Sequence, residues 1–141
     1  MKFKKTIFCE KPLDLNIDKI IKTFKKVKKL RPKIQLGFNR RYDPGHFSIK
    51  RDLESNKIGK LEKIIITSRD PAPPPISYLK ASGGLFRDMM IHDFDLCRFY
   101  LKKDEISEVQ AFSSSFEHMY KKINDHELAV VTMKSKKGVL C

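Results

Sequence analysis

Cysteine is scarce in this 141-residue chain: Cys9, Cys97 and Cys141 are all there are, and they lie far apart. An odd number at wide spacing builds no disulfide framework and points to a reducing compartment, so a cytoplasmic location is expected. Long apolar runs are missing too. Ile64-Ile65-Ile66 is strand-sized, and no membrane span is expected. Lys2, Lys4 and Lys5 imitate the basic start of a secretory signal, but the apolar run after them stops at Cys9, before Glu10 and Lys11, too early for one. The six glycines form no G-x-G-x-x-G turn, so no pyrophosphate cradle is written into the chain. Neither H-E-x-x-H nor a paired-cysteine motif occurs, and no metal is expected. Acidic residues are outnumbered, 17 against 30 lysines and arginines, for a formal charge of +13. The excess is mostly lysine interleaved with apolar residues at helical spacing, the pattern of a solvated helix face. With no recognition motif and no aromatic stacking pattern beside it, nucleic acid is not the expected partner.

What is present reads as a globular domain: 40% hydrophobic and 33% charged residues. Thr6–Cys9 is a short strand closed by Glu10-Lys11-Pro12. Ile17, Ile20, Ile21, Phe24, Val27 and Leu30 repeat at i, i+3, i+4, i+7, which predicts a helix with one buried face, capped by Asn16 and carrying Asp18 in its first turn. Pro32 stops it. Lys33–Phe38 alternates as a half-buried strand, residues 39–45 turn, and His46–Ser55 is a second helix. Leu61–Ser68 is an isoleucine-rich strand, and Asp70–Pro75 a stiff connector. Ser82-Gly83-Gly84 opens a third helix over Leu85–Leu101, with Ser82 as its candidate cap. Strands Ile106–Phe116 and Glu127–Lys134 follow, and Ser135–Gly138 begins a hairpin whose return strand is Val139-Leu140-Cys141. The element order favours α/β to α+β.

The third helix carries the sharpest chemical pattern. Asp88, His92 and Asp95 stand at i, i+4 and i+7, one face of a helix turning about 100° per residue. A carboxylate one turn before a histidine holds the imidazole in one tautomer and supports its cation, as a general base near neutral pH requires. The plain alternative is a surface acid–histidine pair. Lys11 sits where a strand ends, the usual place for ligand groups in α/β sheets; equally, an E-K-P tripeptide can be ordinary surface. Arg40, Arg41 and Arg69 can grip anions or hydroxyls, or simply be solvated turn residues.

Taken in order, Phe8-Cys9-Glu10-Lys11-Pro12, Gly37-Phe38-Asn39-Arg40-Arg41-Tyr42-Asp43, Ser68-Arg69-Asp70-Pro71, and Gly83-Gly84 through Asp88 to His92-Asp93-Phe94-Asp95 resemble the Gfo/Idh/MocA oxidoreductase family, most of all its myo-inositol 2-dehydrogenase branch. The resemblance implies a Rossmann domain for NAD or NADP followed by an open, largely antiparallel sheet that walls the substrate and builds a homo-oligomer. Under it, residues 1–35 are the last strand and helix of the dinucleotide-binding domain, and residues 36–141 are the substrate and oligomerisation domain, its sheet incomplete and its helices on one face. It further implies that His92 takes a hydroxyl proton, that Asp88 orients it, and that Lys11 hydrogen-bonds the reacting oxygen beside the cofactor. Asp70 and Arg40 then fall at substrate-binding positions, with a polyol or sugar as substrate.

The family's glycine-rich phosphate turn is absent. The expectation is therefore a fragment of such a dehydrogenase, binding no nucleotide tightly and inactive by itself. The competing expectation is a non-catalytic interaction module that keeps the oligomerising sheet.

Overall fold

The computed structural model describes residues 5–141; Lys2 and Lys4, weighed above as part of a secretory signal, lie outside the described residues. The chain divides between Asn39 and Arg40 into two compact units.

The first unit is a β-α-β element. Strand β1 (Ile7–Cys9) and strand β2 (Ile34–Leu36) pair in parallel, Ile7 opposite Ile34 and Cys9 opposite Leu36. Parallel neighbours need a crossover, and helix α1 (Ile17–Val27) supplies it, tightening into a 3-10 turn at Lys28–Leu30. Asn16 caps α1 as its side chain type predicts: Oδ1 accepts from the Lys19 N–H at 3.0 Å. The expected buried face is not found. No residue of α1 is buried, and Ile17, Ile21 and Phe24 are exposed. The periodicity specified the helix correctly, but a sheet of two three-residue strands is too narrow to cover its apolar stripe.

In the second unit, helix α2 (Pro44–Glu54) starts two residues earlier than expected because Asp43 caps it, its Oδ1 accepting from the His46 N–H at 3.0 Å, and Pro44 occupies the first turn. Leu61–Ser68 is not a strand. It makes one parallel bridge, Lys63 to Leu140, with Ile64 N–H donating to the Leu140 carbonyl at 2.8 Å. β-Propensity without a ladder partner yields no strand. A helix that the sequence reading left out, α3 (Ile76–Ser82), follows the proline connector directly.

The expected single third helix is two segments. Leu85–Met89 forms a wide π turn, and helix α4 (Met90–Leu101) continues from it. Strand β3 (Ile106–Ser114) and strand β4 (Leu128–Ser135) pair antiparallel, Ala111 opposite Val131 and Phe112 opposite Val130. A further unforeseen helix, α5 (His118–Ile123), lies between them. The return of the hairpin is present as a bridge of Lys134 to Leu140, with the Met133 and Cys141 backbones exchanging two hydrogen bonds of 2.8 Å. Leu96, Cys97, Tyr100 and Leu101 of α4 pack with Ile64, Met133 and Val139 as the core. The chain is thus of the α/β class, with one parallel and one antiparallel pair of strands.

Period-2 alternation splits the β3–β4 ribbon into two faces. Val131 and Met133 turn to the core, while Phe112, Leu128 and Val130 stand exposed on the other face. Among the described residues, no helix is long and apolar enough to cross a membrane.

Candidate active site

The site is built where α3 breaks. Gly83, with φ of 94°, ends that helix, and Gly84, with φ of 79° and ψ of −178°, redirects the chain into the π turn. Both conformations suit glycine. At Gly84 there is a second reason: a Cβ would lie 2.4 Å from Asp125 Oδ1. Ser82 does not cap the next helix. Its hydroxyl accepts from Gly84 N–H at 3.3 Å, and the first amide of the π turn, Leu85 N–H, donates to Asp125 Oδ1 at 3.2 Å. The turn closes with Met90 N–H on the Leu85 carbonyl, the i to i+5 bond of a π segment.

Asp88 stands inside this wide turn and His92 just beyond it on α4, both half-buried. Asp88 accepts a hydrogen bond from the Tyr78 hydroxyl of α3, and this bond, with burial, raises the tyrosine above its ordinary titration range. Tyr78 was not foreseen in the sequence. It lies across the glycine break from Asp88, so no helical period links the two.

Asp95 does not join the Asp88–His92 face. It is buried and takes a two-pronged bond from Arg41, Nε to Oδ2 at 2.7 Å and Nη2 to Oδ1 at 2.6 Å. The same guanidinium stacks 5.4 Å above the Phe99 ring. Arg40 binds Asp93 through Nη1, and Ser68 Oγ donates to the same carboxylate oxygen at 2.8 Å. The residue after His92 therefore orients Arg40. Asp70 is exposed in the proline loop. Lys11 is half-buried in the first unit, following β1 and joined to Pro12 by a cis peptide bond.

For a nucleotide, the test is the start of α1. Asp14 lies just ahead of it, paired with Lys19 at 2.5 Å and accepting from Asn16 N–H at 3.0 Å, contacts that hold its carboxyl below the usual range. An anionic side chain ahead of the helix and an Asn16 cap on its amides leave no cradle for a pyrophosphate. That helix start does not fit the group. Among them, no group of three or more histidine, cysteine or acidic side chains is arranged to hold a metal ion.

The sequence profile of the GFO/IDH/MocA C-terminal domain matches residues 47–141. Myo-inositol 2-dehydrogenase of Thermotoga maritima is 44% identical over 140 residues, 99% of this chain and 42% of that protein. The crystal structure of a myo-inositol dehydrogenase from Corynebacterium glutamicum is similar with a TM-score of 0.88 and 42% identity, covering 94% of this chain and 40% of its own. A scyllo-inositol dehydrogenase from Lactobacillus casei, solved with bound NAD(H) and scyllo-inositol, is similar with a TM-score of 0.80 and 32% identity, covering 96% of this chain and 42% of its own. The chain spans about two-fifths of the length of the curated relatives it matches.

Proposed function

Because the chain belongs to the GFO/IDH/MocA family, we propose that it is the substrate-side part of an NAD-dependent dehydrogenase acting on a secondary hydroxyl of an inositol. Residues 36–141 are its substrate and oligomerisation domain, and residues 1–35 the end of its dinucleotide-binding domain. The observation that carries this reading is the Asp88–His92 pair, set on a wide turn after a double-glycine break in a chain similar over 94% to 99% of its length to inositol dehydrogenases. π turns inside helices recur at functional sites.

In the proposed reaction, His92 accepts the hydroxyl proton as the alcohol becomes a ketone. Asp88, steadied by Tyr78, supports the imidazolium. Lys11 hydrogen-bonds the reacting oxygen. Arg40 and Asp70 contact other hydroxyls of the ring, and Arg40 is pre-oriented for it by Asp93. The hydride acceptor belongs to a dinucleotide-binding half, a reading supported by the start of α1, where Asp14 and the Asn16 cap leave no cradle for a pyrophosphate. In a complete enzyme containing this chain, His92→Ala and Lys11→Ala should each lower inositol-dependent NADH formation by about a hundredfold or more. Undiminished turnover in either variant removes that residue from the catalytic set.

The exposed face of Phe112, Leu128 and Val130 supports a second element of the proposal, assembly of copies through the β3–β4 sheet. Sedimentation should show an oligomer that Phe112→Lys weakens; a monomer at high concentration before substitution refutes it.

A further inference from the structure

We propose that Asp125 is a positioning residue for the Asp88–His92 pair, acting through the residue at which the wide turn begins. This rests on the reading of those two side chains as the proton-handling pair.

Leu85 anchors the turn at both of its backbone groups. Its N–H, the first helical amide after the glycine break, donates to Asp125 Oδ1 at 3.2 Å, and its carbonyl accepts the i to i+5 bond from Met90. First-turn amides have no intrahelical acceptor, so an external one decides where the segment starts. Asp125 is suited to decide it because it is itself held in place. Its N–H donates to the Tyr120 carbonyl at 3.0 Å, its own carbonyl accepts from Ser115 Oγ at 2.7 Å, and its Oδ1 also takes the His126 N–H at 2.8 Å. The carboxylate lies close against Gly84, whose missing side chain makes the approach possible. The next residue adds a second contact to the same turn: the His126 ring meets Phe86 edge-on, with centroids 6.0 Å apart and planes at 75°. Asp125 Oδ2 is enclosed and has no hydrogen-bond partner among the described residues.

The consequence is one of rotational phase. The π segment contains one residue more than an α turn, with Asp88 inside it and His92 after it. Freed at Leu85, the segment can relax to ordinary i to i+4 bonding. One residue of slip turns Asp88 about 100° around the axis relative to His92. Asp125 thus controls how the pair face each other.

The test follows the His92 imidazole by NMR titration in the 141-residue chain. Asp88→Asn should lower the His92 midpoint, since it removes the anion that supports the cation. In an Asp125→Ala background that decrease should shrink by at least half, and Asp125→Asn, which keeps an acceptor for Leu85, should restore it. Asp125→Ser, with a shorter acceptor, serves if the alanine variant does not fold and should give an intermediate loss. An Asp88→Asn effect that stays the same size in the Asp125→Ala or Asp125→Ser background, however much either is destabilised, overturns the positioning role alone. An Asp88→Asn substitution with no effect on His92 in the unaltered background overturns the pair itself, and the inference with it.

Discussion

Replacing Arg41 with alanine should cost stability, and the structure gives the size. Asp95 has a side chain only 10% exposed and receives both prongs of the Arg41 fork, at 2.6 and 2.7 Å. Without Arg41, a buried carboxylate loses two charge-assisted donors; breaking such a pair from one side typically costs about 3–5 kcal/mol. The arginine side chain is 37% exposed, so water can follow into the vacated space, which moves the electrostatic loss to about 2–3 kcal/mol. Loss of the guanidinium from above Phe99 adds about 0.5–1 kcal/mol. The expected total is about 3 kcal/mol, read from urea denaturation as a lower midpoint at unchanged slope. Arg41→Lys keeps the charge but not the planar fork and should lose about half as much. Arg41→Met combined with Asp95→Leu removes both charges and should recover most of the loss. If Arg41→Ala alone stays within about 0.5 kcal/mol of the unaltered chain, the pair is no anchor and the reasoning fails.

Gly84→Ala should destabilise by about 2 kcal/mol or more, because it adds a side chain at positive φ and sets a Cβ 2.4 Å from Asp125 Oδ1; a thermal midpoint unchanged in calorimetry contradicts this. Burial, aided by the neighbouring Cys141, pushes the Cys97 thiol from 9.0 to about 12. Its neutral form is favoured in the fold, so the stability it contributes is complete below about pH 9 and is lost as pH rises towards 12; Cys97→Ala should flatten that alkaline slope in denaturation curves, and an unaltered slope counts against it. The 141-residue chain should give no heat of binding with micromolar NAD, since Asp14 precedes α1 and Asn16 caps it; a micromolar isotherm would remove the conclusion that its start cannot hold a pyrophosphate.

The elements readable in advance were those whose own residues specify them. α1 has its period and its Asn16 cap, and β3 and β4 have β-prone runs of eight or nine residues. What escaped depends on partners. α3 and α5, of seven and six residues, are too short to display a helical period. Leu61–Ser68 has strand composition, but among the described residues its ladder is a single bridge, Lys63 to Leu140. The catalytic candidates were legible because Asp88 and His92 are close in sequence. Their supports were not: Tyr78 reaches Asp88 across the glycine break, and Asp125 reaches Leu85 from 40 residues away. Asp95 shows the limit of spacing arguments. Its i+7 position fits the site face, yet a buried carboxylate must find a cation, and Arg41 from a different element supplies it.

That same limit explains why the wide turn is needed. Asp93 and Asp95 flank Phe94 on α4 and are gripped by Arg40 and Arg41, adjacent residues of one 3-10 turn at Asn39–Tyr42. Two ion pairs made by neighbouring arginines to carboxylates two residues apart fix the rotation of α4 about its axis, and with it the direction of His92, which directly precedes Asp93. At the other end, Asp125 fixes Leu85, and so the phase at which the helical run starts. These two constraints come from separate parts of the chain, and a regular α-helix between them would have a single phase throughout. The extra residue of the π segment at Leu85–Met89 lets both be met at once, and Asp88 lies within it. The approach of Asp88 to His92 is then set by the mismatch between two anchors, which is why i, i+4 spacing alone could suggest the pair but not how it is held.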